Sequence, residues 1–183
     1  MKILTTSLSG VFVVETTPFS DQRGTFSRLY CESELSEIVG TRRIVQINHS
    51  RTAVAGAVRG LHFQPAPHAE TKFVRCLRGR IFDVAVDLRS KSPSFLQWHA
   101  EEISPANARM LVIPEGCAHG FQALESDSEL LYFHTSAYAP HAEAGVRFDD
   151  PRLAIRWPLP VVDLSPRDNA LPPLGAAFEG IVV

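Results

Sequence analysis

Cysteine is scarce in this chain, with only Cys31, Cys76 and Cys117, widely separated and never in a CxxC pair. An odd number at such spacing argues against a disulfide framework and against a thiolate zinc centre, and it fits a reducing compartment. An excess of positive charge is also lacking: 18 Lys and Arg against 20 Asp and Glu leave a formal charge of -2. No global field is available to hold a polyanion, so nucleic acid is not an expected partner, although a nucleotide could still be gripped by a few locally placed arginines. No apolar run approaches the length that spans a bilayer. The first residues, Met1 to Ser7, carry one positive charge without the apolar stretch of a signal peptide. The expectation is a soluble, cytoplasmic protein that makes no membrane contact.

What the 183 residues do contain is a series of short β-type runs cut by 13 prolines and 11 glycines. Val11 to Glu15, Arg43 to Asn48, Ala57 to Phe63, Phe73 to Leu77, Ile81 to Leu88, Phe95 to Glu101, Met110 to Ile113 and Glu129 to His134 read as strands. The clearest alternation is Phe82, Val84, Val86 and Leu88, which marks one face of its strand as core. Gly79 between two runs suits a tight hairpin, and Glu32 to Val39 is the one plausible helix near the start, with Ser33 as its cap. Eight or more short strands in one domain, residues 1–183, predict an all-β sandwich or jelly roll. The tail after Pro140 is rich in proline, but Phe148, Leu153, Ile155 and Trp157 are too apolar for a disordered extension, so it is expected to pack on the outside of the barrel.

Chemistry concentrates in Arg59-Gly60-Leu61-His62-Phe63-Gln64. On a strand, Gly60, His62 and Gln64 share a face, which makes His62 the first candidate base and leaves clearance for a ligand at Gly60. The alternative is a hydrogen-bonded core histidine. Lys72, after the Pro65-Ala66-Pro67 turn, can stabilise charge developing on a carbonyl oxygen, or it is a solvated surface residue. His119 lies in what reads as a glycine-bracketed turn, Pro114 to Gly120, either delivered to a cavity or exposed to water. Tyr132 shares a strand face with Leu130 and His134, where packing with a satisfied hydroxyl is its ordinary role. A metal reading would combine His62 and His119 with His68 or Glu70. Against it, Gln64 stands where a second strand-borne histidine would complete the usual pair.

Taken in order, several segments make the chain resemble the dTDP-4-dehydrorhamnose 3,5-epimerase family. They are Phe19 to Gly24, Gln46 to Ser50, Arg59 to Gln64, Gly79 to Arg89, Pro114 to Phe121, Asp149 to Pro151 with Trp157-Pro158, and Ser165-Pro166-Arg167-Asp168. The resemblance implies a cupin-type jelly-roll barrel with a short N-terminal helix and an irregular C-terminal tail on the outside. It also implies an isomerase of deoxysugar biosynthesis that inverts C3 and C5 of a nucleotide-linked 4-keto-6-deoxy-hexose. By the same resemblance His62 is the base, Asp168 holds its imidazole, Lys72 stabilises the enolate and Tyr132 returns a proton from the opposite face. Arg59 and His119 hold the diphosphate and sugar end, Gln46 and Asn48 line the nucleotide side, and Tyr138 stacks near the nucleotide. Arg23 and Phe26 reach a neighbouring subunit's site in a homodimer that exchanges its N-terminal segment. Arg28 departs from the family pattern, standing where an acidic residue is common, and bears on which nucleotide is recognised.

This assignment agrees with elementary chemistry. A neutral imidazole, with a reference pKa of ~6.5, accepts a proton near neutral pH, whereas a phenol at ~10 remains able to donate one. Two groups are needed, because returning the proton from the side it left regenerates the starting sugar. The ketone already acidifies the neighbouring carbons, so the reaction calls for no metal or redox cofactor. The alternatives are a mono-epimerase of a CDP- or GDP-linked sugar, a metal-dependent cupin enzyme, and a non-catalytic sugar-nucleotide binder.

Overall fold

The computed structural model describes all 183 residues. In chain order the elements are β1 (Lys2–Thr5), β2 (Phe12–Glu15), β3 (Phe19–Asp21), β4 (Gly24–Phe26), α1 (Ser36–Val39), β5 (Gln46–Thr52), β6 (Val58–Phe63) and β7 (Lys72–Arg78). There follow β8 (Ile81–Asp87), β9 (Trp98–Ile103), β10 (Arg109–Ile113), β11 (Cys117–Ala123), β12 (Ser128–His134), β13 (Ala144–Gly145) and α2 (Pro166–Asn169). Six strands form one antiparallel sheet in the order β1-β2-β10-β7-β12-β5, and five form a second in the order β13-β6-β11-β8-β9. The β3–β4 hairpin stands apart from both. No helix is long and apolar enough to cross a membrane.

Three apolar layers hold this sandwich together. Between the sheets, Val13, Val74, Cys76, Leu111, Ile113 and Leu130 of the first meet Ile81, Ala85, Cys117 and Phe121 of the second. Outside the first sheet, Leu35 and Val39 of the α1 region cover Val14, Phe73, Met110, Val112 and Phe133. Outside the second, Val146, Leu153, Ile155, Trp157, Leu174, Phe178 and Ile181 of the tail cover Leu61, Phe63, Val84, Val86 and Ala118. The tail therefore packs where its apolar content predicts. The inner strands β8, β10 and β11 are buried on two faces, which is why their sequences read with long apolar runs.

The alternating face of β8, with Val84 and Val86, is core as expected, packed beneath the tail, while Ile81, Asp83 and Ala85 face between the sheets. Other expectations are corrected. Arg78 to Arg80 is not a hairpin, because β7 and β8 belong to different sheets and the turn carries the chain across the sandwich. Gly79 is required there by a φ of 73° and by Ser128, whose Oγ a Cβ would meet. Pro114 to Gly120 is not a turn throughout, since β11 begins at Cys117 and is buried along its length. The helix is one turn, starting at Ser36 and lacking a side-chain cap, rather than beginning near Glu32 with Ser33. The expected strand at Arg43 starts only at Gln46.

Asp87, at the end of β8, is fully buried and gathers the chain that follows it. Its carboxylate accepts from Arg89 Nε and Nη2 at 2.8 Å, from the Arg89 backbone at 3.0 Å and from Ser94 Oγ at 2.6 Å, with Ser92 alongside. Burial alone would raise its pKa, yet these donors prevail and hold it down at about 2. A carboxyl whose folded pKa is depressed adds stability above its unfolded value, ~3.9, and loses it as pH falls. Asp87→Asn is therefore expected to cost about 2 kcal/mol at neutral pH. Urea unfolding should also show the variant to be less sensitive to acid than the parent between about pH 4 and about pH 2. An unchanged acid dependence would show that Asp87 contributes no such linkage.

Candidate active site

The inward side chains change character along the strands of the first sheet. Across β7 and β12, Cys76 faces Leu130, then Val74 faces Tyr132, then Lys72 faces His134. On the other side of β12, Ser50, Asn48 and Gln46 of β5 stand beside the same three residues. The apolar end closes into the core, whereas the polar end opens into a cavity of about 660 Å³ between the sheets. Asn48, Arg59, His62, Lys72, His119 and Tyr132 all line it, with Glu70, His134, Tyr138, Glu143, Arg167 and Asp168.

A bulge brings Arg59 and His62 to the same side. His119 and Phe121 of β11, two residues apart, pair with His62 and Arg59 of β6, three residues apart. One extra residue in β6 breaks strict alternation and turns both side chains to the cavity. Gly60 makes the crossing possible, but not by leaving room for a ligand as expected: a Cβ there would lie 2.5 Å from Gly120 Cα and 2.7 Å from the His119 carbonyl oxygen, at a φ of 122°. Gln64 likewise points elsewhere. It accepts from Ala139 N at 2.7 Å and donates to the His68 carbonyl at 2.9 Å, fixing the loops beside the cavity.

His62 Nε2 donates to Asp168 Oδ1 at 2.6 Å, which leaves Nδ1 as the nitrogen with the lone pair, 4.0 Å from Glu143 Oε1. Asp168 reaches this position because Ser165 caps the short α2 through a 3.0 Å bond from Asp168 N, with Pro166 pre-set for the first helical position. Burial would raise the Asp168 pKa, but the His62 contact and the Gly60 N–H keep the carboxyl below its ordinary value. His119, only 6% exposed, is a strand residue whose Nε2 donates to Asp83 Oδ1 at 2.7 Å. Tyr132 is half-buried, its hydroxyl 3.3 Å from Ser50 Oγ and its ring edge-on to His119. Burial pushes its phenol well above the ordinary value, with the Ser50 contact opposing only in part.

Four expected residues lie outside the cavity lining. Gln46 is outside the cavity lining, its Oε1 accepting from Tyr138 N at 2.9 Å, and Tyr138 donates its hydroxyl to Glu143 Oε2 at 2.6 Å. Arg28 pairs with Glu34 away from the cavity. Arg23 and Phe26 lie on the β3–β4 hairpin, with Arg23 forked onto Asp21 and Phe26 74% exposed, and neither lines the cavity of its own chain. Side chains suited to a metal do not gather: His68 packs edge-on against His141 outside the cavity, and Glu70 lies between His134 and Lys72.

Sequence reasoning missed Asp83, Glu143 and Arg167. Asp83 was legible as the face of β8 opposite the apolar alternation. Glu143, joined to Arg167 at 2.7 Å, lies in irregular chain, and Arg167 on a helix of a single turn, so neither had a period to read. Glu143 is held below the ordinary carboxyl range, burial being outweighed by Tyr138, Arg167 and His62.

Two outcomes follow from this geometry. Gly60→Ala should destabilise the protein by about 2–4 kcal/mol in denaturant unfolding, since neither backbone can yield without separating β6 from β11. All three tyrosines, Tyr30, Tyr132 and Tyr138, have raised phenol pKa values, the first two by burial and the third by its bond to Glu143. An ultraviolet titration should therefore show little phenolate at the ordinary midpoint of ~10, and Tyr132→Phe should remove the step at highest pH. A tyrosine ionising normally and vanishing in that variant would contradict the buried placement.

Comparison with known proteins agrees with this architecture. The family model described as dTDP-4-dehydrorhamnose 3,5-epimerase matches residues 5–176. The dTDP-4-dehydrorhamnose 3,5-epimerase of Salmonella typhimurium is 40% identical over 180 residues, covering 97% of this chain and 98% of that protein. The crystal structure of the Bacillus anthracis 3,5-epimerase with TDP and PPi bound superposes with a TM-score of 0.91 at 39% identity, covering 94% of this chain and 99% of the other. That of the Legionella pneumophila epimerase in complex with dTDP-4-keto-L-rhamnose gives 0.88 at 40% identity, covering 93% and 90%.

Proposed function

We propose, on the footing that the chain belongs to the dTDP-4-dehydrorhamnose 3,5-epimerase family, that it is the isomerase inverting C3 and C5 of dTDP-4-keto-6-deoxy-hexose in dTDP-rhamnose biosynthesis. One observation carries the chemistry: an imidazole anchored on a buried carboxylate shares a cavity with a lysine ammonium and a phenol kept neutral by burial.

His62 Nδ1 takes the proton from the carbon beside the ketone, and the electron pair moves onto the ketone oxygen as an enolate. Lys72 stands where that negative charge is stabilised as it forms. Tyr132 gives its proton to the carbon from the other face, because an enolate carbon is more basic than even this phenolate. Solvent then restores the phenol and removes the proton from His62. Asp168 fixes the tautomer and orientation of the base throughout. Arg59, His119 and Arg167 suit the diphosphate by charge, while Asn48 and Tyr138 lie toward the nucleotide. In a homodimer the β3–β4 hairpin of each subunit reaches the neighbouring cavity, so that Arg23 and Phe26 contact the nucleotide there. The exposure of Phe19 and Phe26, 66% and 74%, supports this use of the hairpin. A water-soluble nucleotide sugar suits a cytoplasmic enzyme.

Incubation with dTDP-4-keto-6-deoxy-glucose in deuterated water should load deuterium at C3 and C5, followed by NMR. His62→Ala should lower exchange at both carbons by about 10²–10⁴-fold. Tyr132→Phe should reduce epimer formation more than exchange, since removal of the proton remains intact. Absence of exchange with the parent enzyme at either carbon would overturn the 3,5-epimerase reading.

A further inference from the structure

Lys72 and His134 are directly opposed across β7 and β12. Two potentially cationic side chains in that relation repel unless a counter-charge lies between them. Glu70, in the loop before β7, is that counter-charge. Its Oε1 is 3.3 Å from Lys72 Nζ and its Oε2 is 2.7 Å from His134 Nδ1. All three side chains are nearly closed to solvent, with exposures of 11% for Lys72, 8% for Glu70 and 11% for His134. The donors and acceptors match along one line. Asn48 Nδ2 donates to His134 Nε2 at 3.3 Å, His134 Nδ1–H donates to Glu70, and the ammonium donates both to Glu70 and, at 3.3 Å, to the His62 carbonyl oxygen. A neutral imidazole satisfies every partner in this chain. The Glu70 carboxyl is correspondingly below its ordinary value, as the contacts with His134 and Lys72 outweigh its burial.

We propose that Glu70 and His134 are positioning residues for Lys72: the imidazole orients the carboxylate, and the carboxylate holds the ammonium aimed into the cavity beside His62. The inference rests on the epimerase reading, in which Lys72 meets the ketone oxygen. An ammonium held by a flexible stem would otherwise sample many positions, and displacement by ~1 Å of a charge that acts on the transition state costs up to ~100-fold in rate. The His134 ring also lies parallel to Tyr132, centroids 6.0 Å apart, so a purely packing role is the competing explanation and the test must separate the two.

Two substitutions at position 134 do so. His134→Phe keeps an aromatic ring against Tyr132 but deletes the donor to Glu70. His134→Asn loses the ring but places an amide N–H close to the position of Nδ1. With deuterium exchange as the readout, His134→Phe is expected to lower kcat about tenfold with KM within about threefold, and His134→Asn to retain most of the rate. Glu70→Gln should lower kcat at least as much as His134→Phe. In a Lys72→Ala background, His134→Phe should cost little further, since its effect passes through the lysine.

Labelling of Lys72 by acetic anhydride at pH 8, mapped by mass spectrometry, reads the same arrangement without turnover. Loss of the tether in Glu70→Gln should increase labelling, because the amine is then no longer held against the carboxylate and samples the open cavity. Full rate in His134→Phe with loss in His134→Asn would assign the ring to packing and overturn the proposal. So would equal labelling of Lys72 with and without Glu70, or an undiminished cost of His134→Phe in the Lys72→Ala background. If the parent enzyme exchanges no deuterium, it is the epimerase reading that fails, and the labelling result still decides whether Glu70 holds Lys72.

Discussion

The bond between His62 and Asp168 ties the catalytic end of the sandwich to a tail segment 106 residues away, and the rest of the architecture serves to make that bond reliable. Delivering Asp168 requires the tail to cross the outside of the second sheet and return at the cavity mouth. Along the way, Trp98 and Trp157 donate to the carbonyls of Leu153 and Phe148, each at 2.9 Å, and Gln122 exchanges two 2.9 Å bonds with the backbone of Leu159. These polar clasps fix the register of a segment that has no ladder of its own. The apolar layer of Leu153, Ile155, Trp157 and Phe178 supplies the adhesion. A tail held by apolar contact alone could slide, and the carboxylate would lose the imidazole.

The same strands that make the core make the site. Along β7 and β12, four residues separate the apolar cross-strand pair Cys76 and Leu130 from the ionisable pair Lys72 and His134, so the hydrophobic core itself is the floor of the cavity. This arrangement resolves a conflict. The ionisable groups need rigid backbone to hold them, yet their charges resist burial. Placing them at the open end of rigid strands, each matched to an opposite charge or a hydrogen-bond donor, meets both requirements. Lys72 has Glu70, His62 has Asp168, His119 has Asp83, and Glu143 has Arg167.

Much of this was legible in the sequence, but unevenly. The β-rich sandwich, the packed tail and the convergence of His62, Lys72, His119, Tyr132 and Asp168 followed from alternation, apolar content and family resemblance. Failures cluster where period-2 reasoning loses its footing. The bulge at Gly60 put Arg59 and His62 on one side, and Gln64, past the end of β6, braces a loop. The two-sided burial of β8 hid Asp83 behind a more conspicuous apolar alternation. The glycines around β11 were taken as turn punctuation, although Gly120 is small because a neighbouring strand approaches it closely, with the Arg59 carbonyl only 2.7 Å from where a Cβ would stand. Glu143 occupies irregular chain and Arg167 a one-turn helix, where spacing alone carries little geometric information.

Inversion at carbon demands an asymmetric pair of groups, and the environments of His62 and Tyr132 differ in the required sense. His62 is backed by an ionised carboxylate and keeps one nitrogen free, so its charged state is compensated when the proton arrives. Tyr132 is set among Ser50, His119 and His134 with no cation bonded to its hydroxyl, and burial disfavours the phenolate. On the proposed mechanism, these environments suit the imidazole to accept a proton and the phenol to hold its own until an enolate carbon is present to take it. Had the lysine ammonium been bonded to the phenol instead of to Glu70, it would have stabilised the phenolate and weakened the contrast. On the proposed mechanism, the pairing of Lys72 with Glu70 rather than with the phenol keeps the positive charge for the ketone oxygen while the acid stays neutral.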